Sequence, residues 1–372
     1  MPPINDFTPP KAFPFIRSEG SSYEVGIAHG RAFGDLIRTA ISVYRGKFDK
    51  VNVKWSDALV AAERGRDQVR AFDTRLADEY DGIAKGAELD PREIMAINLR
   101  VSLLRLLTPK IPEAEKTECT TTAVIGSATA NGHTLMGQNW DQAGALQAFT
   151  VIIEQHVPGE PALLFLTEAG SLFRHGMNDA GVGICGNALI SDQPTVLENS
   201  AVSALGRRLA LRETNLADAH RVLFNTPPAT PGNHLMASAE GKAIDIESSP
   251  TVSFNVEPED GIVVHSNHFL NPKARDVLND LVPKMHPSTL HRYARVRDHL
   301  QERRGAITTD DIRDALHDHF GYPTSVCNHP HPNSDGEVSY TLASSVLDLN
   351  ARKMWTAPGP GCIGHYTEYS FS

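Results

Sequence analysis

The hydrophobic pattern of this 372-residue chain changes period once, and the change falls at a short charged connector. Upstream, Ser21 to Lys47 carries Val25, Ala28, Phe33, Ile37, Ile41 and Tyr44 at helical spacing, with Ser22 as the expected N-cap. Asp57 to Lys85 and Pro91 to Leu107 read as further helices, the second opened by Asp90-Pro91 with proline in the first turn. Residues 109–118, PKIPEAEKTE, combine two prolines with five charges, the composition of an exposed connector. From Cys119 the chain turns to short β-like runs at 119–126, 133–139, 150–157, 162–167, 182–187, 233–239, 242–247, 262–266, 338–347 and 352–356. Asn131-Gly132 and Glu240-Gly241 are the expected hairpin turns. Helices return near 203–213, 217–225, 288–304 and 309–320, the last opened by TTDD. Helices followed by enough strands for two sheets predict a layered α/β (α+β) sandwich with mainly antiparallel sheets.

Composition narrows the partners. A formal charge of −10, without a basic stripe, argues against a nucleic-acid partner. No segment approaches the roughly 18 apolar residues that a membrane span needs, and Met1 to Pro14 lacks the charged start and apolar middle of a signal peptide. A cytoplasmic protein is expected. The four cysteines, Cys119, Cys185, Cys327 and Cys362, include no CxxC pair, so neither a disulfide framework nor a thiolate zinc site is expected. His265 with His268, His317 with His319, and His329 with His331 lack acidic or thiolate partners at ligand spacing, so the expected metal and cofactor complement is none. GVGICG at 181–186 satisfies GxGxxG but lies in a strand-like run with no helix after it, which removes the context of a phosphate cradle.

Cys119 is where chemistry concentrates. A free cysteine is ordinarily a small buried apolar residue, but this one opens a β-branched run directly after the connector. A cut between Glu118 and Cys119 would make it the N-terminus of a strand. Its α-amine, with a reference pKa of about 7.7–8.0, could then accept the proton of the thiol on the same residue. Attack of that thiol on the Glu118 carbonyl would make the cut itself. With Asn131-Gly132 as a two-residue turn, the strand through Gln138 to Asp141 returns beside Cys119 to Thr122. An ideal ladder puts Gln138 and Trp140 on the cysteine's face and Asp141 on the other, and one bulge, for example at Gly137, would reverse this.

The stretch ECTTTAV…GHTLMGQNWDQ resembles the processing site of the acyl-coenzyme A:6-aminopenicillanate acyltransferase family of N-terminal-nucleophile (Ntn) hydrolases. SSYEVGIAHGRAFGDLI (21–37), GMNDAGVGICGNAL (176–189) and VHSNHF (264–269) resemble further family segments in the same order. The resemblance implies a four-layer αββα sandwich. It also implies a precursor cut into segments 1–118 and 119–372 that stay together as an αβ heterodimer within one Ntn-fold domain. Carried over, Cys119 is the nucleophile, Asp141 the acid near its amine, and Asn267 and Asn187 oxyanion donors. Thr121 and Gln138 are substrate-binding candidates. Relatives carry arginines where this chain has Asn328 and near Gln138. Fewer cations beside the nucleophile would disfavour a carboxylate-bearing substrate. The expected activity is hydrolysis of a small N-acyl amide through a cysteinyl thioester, with N-acyltransfer as the alternative and an uncleaved non-enzymatic protein as the third reading.

Overall fold

A computed structural model describes residues 7–107, 118–332 and 336–372. Of the expected connector, 109–118, only Glu118 lies within the described residues. After strand β1 (Phe15–Glu19) come helices α1 (Ser22–Lys50), α2 (Trp55–Phe72), α3 (Thr74–Ala87) and α4 (Pro91–Leu107). Then follow β2 (Glu118–Val124), β3 (Leu135–Ala143), β4 (Thr150–His156), β5 (Leu163–Glu168), β6 (His175–Asn178) and β7 (Val182–Ala188). Helices α5 (Ser200–Ser203), α6 (Gly206–Ala210) and α7 (Leu216–Asn225) precede β8 (Gly232–Ser238), β9 (Lys242–Ser248), β10 (Ser253–Val256) and β11 (Ile262–His265). The remainder holds α8 (Ala274–Val277), α9 (Val282–Met285), α10 (Ser288–Glu302) and α11 (Thr309–Leu316), then β12 (His331–Pro332), β13 (Val338–Asp348), β14 (Lys353–Pro358) and β15 (Thr367–Ser370).

The strands form two sheets, ordered β1-β4-β5-β6-β7-β8-β9-β10 and β11-β2-β3-β13-β14-β15, with β12 on β13. Pairing is antiparallel except for β1 on β4. Apolar side chains of α1 to α4, such as Ile37, Ile83 and Ile94, share one buried cluster with Ile152 and Leu164 of the first sheet and with Met136 and Trp140 of the second. On the far side, Val296 and Leu300 of α10 and Ile312 and Leu316 of α11 pack with Val124, Val264 and Val346. The layers therefore run helix, sheet, sheet, helix, the αββα sandwich expected.

Local chemistry explains the element ends. Ser21, not Ser22, caps α1, accepting from the Glu24 N–H at 3.3 Å while the Glu24 carboxylate accepts from the Ser21 N–H at 2.8 Å. The single helix expected over 57–85 is two, because Asp73 leaves helical geometry and its carboxylate accepts from the Leu76 N–H at 3.0 Å, starting α3. The helix expected at 203–213 is likewise broken, into α5 and α6. Helices α1 and α3 approach so closely that a Cβ added at Gly30 would lie 2.1 Å from the Ile83 carbonyl oxygen, and one at Gly86 2.2 Å from that of Ile27.

The β2–β3 connection differs from expectation in a way that matters for the site. Asn131-Gly132 is not a two-residue hairpin; β2 ends at Val124, a short 3-10 turn follows at Gly126–Ala128, and β3 begins at Leu135. Cys119 consequently faces Trp140, Thr121 faces Gln138 and Glu118 faces Asp141. The register moves by an even number of residues, so each side chain keeps the face of the ideal ladder. The bulge in this region is on β13, between Thr341 and Ala343, opposite Asp141 and Trp140. GVGICG at 181–186 runs into β7 as extended chain.

Candidate active site

Cys119 is on the face of β2 that points between the sheets, 4% exposed, and it lines a cavity of about 270 Å³ together with Arg174, Asn187, Arg207 and His234. Burial pushes its thiol up to about 11, and Asp141 adds to this, while Arg174, the Asp141 backbone N–H and Arg292 oppose it. A thiol so placed needs a base. No histidine is hydrogen-bonded to it among the described residues, and His234 on the cavity wall is driven down to about 3 by burial and by Arg207.

The backbone nitrogen of Cys119 donates to Asn267 Oδ1 at 2.9 Å. The same oxygen accepts from Arg292 at 2.9 Å, and the Asn267 NH2 donates to the Ala188 carbonyl at 3.0 Å. Two donors converging on one side of the amide fix its orientation, because a flipped side chain would set NH2 against N–H. Asn267 thus presents oxygen, not N–H, to the cysteine. The expectation that it donates to an oxyanion does not fit this orientation. Its loop is held by the Thr289 hydroxyl, which accepts from the Asn267 N–H at 2.9 Å, and by His265, bonded to Glu247 at 2.8 Å. Burial opposes charge on His265, but Asp245 and Glu247 raise it to about 9.

Asn187, at the end of β7, has the opposite arrangement. Its Oδ1 accepts from the Thr121 hydroxyl at 2.7 Å, and its Nδ2, buried against the cavity, has no partner among the described residues. Gln138 donates to the Gly186 carbonyl at 2.8 Å and so ties β3 to β7. Neither Thr121 nor Gln138 lines the cavity. Each stands one layer back, its polar atoms committed to wall residues, so neither occupies the substrate-binding position expected from sequence.

Behind the strand, on the helical side, Arg292 of α10 is fully buried and donates to the Cys119 carbonyl at 2.6 Å and the Thr120 hydroxyl at 2.9 Å. It also lies 3.5 Å from the Glu118 carboxylate, which accepts from the Ser288 hydroxyl at 3.1 Å. Asp141 accepts from the Thr341 hydroxyl at 2.6 Å, a contact made by the β13 bulge. Burial pushes Asp141 up to about 7; Arg292 and the Thr341 hydroxyl pull it down, Glu118 raises it further, and Asn328 lowers it.

Cations do surround the cavity, contrary to expectation. Arg174 lies 4.0 Å over the Trp140 ring and pairs with Glu168, which also pairs with Arg100. Arg207 donates to the Arg174 carbonyl at 2.8 Å and has no carboxylate partner among the described residues. Burial and Arg174 lower it to about 10, which leaves it charged at neutral pH. Its neighbour Arg208 is buried against Glu79 at 3.1 Å and Gln155 at 2.9 Å, anchoring α6 to α3 and β4.

The sequence profile of the acyl-coenzyme A:6-aminopenicillanic acid acyl-transferase family matches residues 127–360, well over half of the chain. The chain belongs to this family. A curated member, the acyl-coenzyme A:6-aminopenicillanic-acid-acyltransferase 40 kDa form of Emericella nidulans, is 30% identical over 346 residues, covering 91% of this chain and 90% of that protein. Solved structures that overlay on this family member include a conjugated bile acid hydrolase from Clostridium perfringens (TM-score 0.43, 12% identity, 68% of this chain and 97% of that one). An N-acylethanolamine-hydrolyzing acid amidase ortholog from Caenorhabditis elegans gives a TM-score of 0.45 at 14% identity, covering 68% and 100%. Penicillin V acylase from Agrobacterium tumefaciens gives 0.43 at 15%, covering 64% and 83%.

Arg174, Arg207 and Arg292 escaped the sequence reading. Arg292 belongs to an arginine-rich helix, STLHRYARVRDHL, in which nothing local separates the buried guanidinium from exposed ones. Arg207-Arg208 did carry a signal: adjacent arginines inside the apolar run ALGRRLALR seldom both reach solvent.

Proposed function

We propose that this family member is a self-processing cysteine amidohydrolase acting on a small N-acyl amide that bears an anionic group. The observation that carries the reading is the pairing, across one cavity, of Cys119 with the unpartnered Nδ2 of Asn187. In processing, the Cys119 sulfur attacks the Glu118 carbonyl carbon, and the peptide C–N bond gives way to a C–S bond. Water then cleaves the thioester, leaving a carboxylic acid on Glu118 and a free amine and thiol on Cys119.

In turnover the sulfur attacks the substrate carbonyl, the α-amine takes the thiol proton and passes it to the leaving amine, and water releases the acyl group. Asn187 Nδ2 donates to the oxyanion, an uncharged donor fixed before the charge develops. Asn267 Oδ1 accepts from the cysteine nitrogen and aims its lone pair. The guanidinium of Arg292 beside that nitrogen disfavours the ammonium, while Asp141 favours it, so the two together set the amine's proton affinity. Arg207 supplies an uncompensated charge in a desolvated wall, which a substrate carboxylate would neutralise.

Mass spectrometry of the purified protein tests processing: fragments 1–118 and 119–372 are expected, with Cys119→Ala remaining a single chain. N-acyl amides with and without a carboxylate test turnover, with free acid as the expected product. Transfer of the acyl group to an added amine in preference to water would replace hydrolysis by acyltransfer at the same residues. An intact but active chain would overturn the mechanism.

A further inference from the structure

Four side chains from two loops meet at one point outside the cavity that Cys119 lines. His319 and His329 lie in the loop between α11 and β12, Cys327 lies between them, and Cys362 comes from the loop between β14 and β15. Their ligand atoms all fall within 4.8 Å of one another. The two sulfurs are 3.5 Å apart, the two Nε2 atoms 3.0 Å, and His329 Nε2 is 3.3 Å from Cys362 Sγ and 3.8 Å from Cys327 Sγ. A tetrahedral zinc with bonds of about 2.3 Å to sulfur and about 2.0–2.1 Å to nitrogen spaces its ligands by about 3.8 Å (S to S), 3.5 Å (S to N) and 3.3 Å (N to N). These four separations fall within a few tenths of an ångström of those values, and the two from His319 to the sulfurs fall within the 4.8 Å span of the cluster. Two sulfurs with two imidazoles are the donor set of a closed zinc site. The separation of 3.5 Å is far longer than the roughly 2.05 Å of a disulfide.

We propose that His319, Cys327, His329 and Cys362 form a four-coordinate structural zinc site. Binding expels the two thiol protons to solvent and leaves no open position on the metal, so the site holds structure and takes no part in the acyl chemistry. What it holds is specific. Asn328, between two ligands, accepts from the Thr341 N–H at 2.9 Å and donates its own N–H to the Thr341 hydroxyl at 3.0 Å, and that hydroxyl donates to Asp141. The metal therefore pins the loop that sets Thr341 against Asp141, and ties it to the C-terminal segment through Cys362. Ligands drawn from two loops carry no spacing that a local motif would record.

The test is elemental analysis of the protein purified without chelator, together with cobalt substitution. Near one zinc per chain is expected. After exchange with cobalt, the intense visible bands of a tetrahedral ion and a thiolate charge-transfer band are expected. Cys362→Ser and His329→Ala should lose the metal, while Cys119→Ala should retain it; chelation of the wild-type protein should lower its thermal midpoint. The proposal is overturned by protein that retains no zinc after incubation with zinc and gel filtration, by the weak spectrum of octahedral cobalt, by unchanged zinc content in both ligand variants, or by a Cys327–Cys362 disulfide in the freshly isolated chain. The cobalt spectrum is read on wild-type protein, so misfolding of a variant does not remove the test.

Discussion

Replacing Asp141 by Asn in a Cys119→Ala background isolates the electrostatic cost of the uncut chain. The Asp141 carboxyl sits at about 7 instead of 3.8, chiefly through burial. The folded protein therefore holds a proton there that the unfolded chain has lost, and stability falls as pH rises through the window between those two values. At about 1.36 kcal/mol for each tenfold change, the full difference amounts to about 4 kcal/mol. Asn keeps an acceptor for the Thr341 hydroxyl but cannot ionise. The two proteins should have similar stability near pH 4, and the Asp141→Asn chain should become the more stable by up to about 4 kcal/mol near pH 8. Urea unfolding across that range measures the difference, and it cancels the titrations common to both chains, including that of His265. Superimposable pH profiles would refute the reasoning. In cleaved protein the new ammonium partly offsets the cost, so the same substitution made after processing should be less stabilising.

Asn187→Ala should lower kcat by about 10²–10³ with little change in KM, as for loss of an oxyanion donor; an unchanged kcat would assign Asn187 to the wall. Arg207→Gln should raise KM for carboxylated N-acyl amides and leave neutral ones nearly unaffected, so an equal change in both would remove it from substrate recognition. Arg292→Met should destabilise the fold by about 3–5 kcal/mol, since it strips a buried cation from Glu118 and from the Cys119 carbonyl, which a shifted urea midpoint would register. Gly30→Ala forces a Cβ against the Ile83 carbonyl and should cost about 1–3 kcal/mol, read from the same transition at unchanged slope.

The features that sequence exposes here are those written in neighbouring residues. The Thr-rich run after Cys119, the proline at the start of α4 and the capping pattern before α11 each carry their own local physics, and each forms the expected element. What escapes is what depends on distant partners. Asp73 reads as a helix-surface residue until its carboxylate is seen capping α3. Asn131-Gly132 has hairpin chemistry, yet the β2–β3 connection takes in all of residues 125–134, with left-handed backbone at both Gly126 (φ +59°) and Gly132 (φ +76°). The site is divided in the same way. Cys119 and Asp141 announce themselves through a connector and a returning strand, but the contrasting orientations of Asn187 and Asn267 are decided by Thr121 and Arg292, which arrive from elsewhere in the fold.

Chain ends ordinarily fray, and a terminal residue gains little order from its neighbours. Strand β2 is flanked by β11 on one side and β3 on the other, with Arg292 gripping the first carbonyl from behind. A terminus created at Cys119 would emerge already immobilised on three sides, its ordering cost met when the chain folded and not at each encounter with a ligand. Substitutions that loosen this ladder should then register as slow turnover long before they register as unfolding.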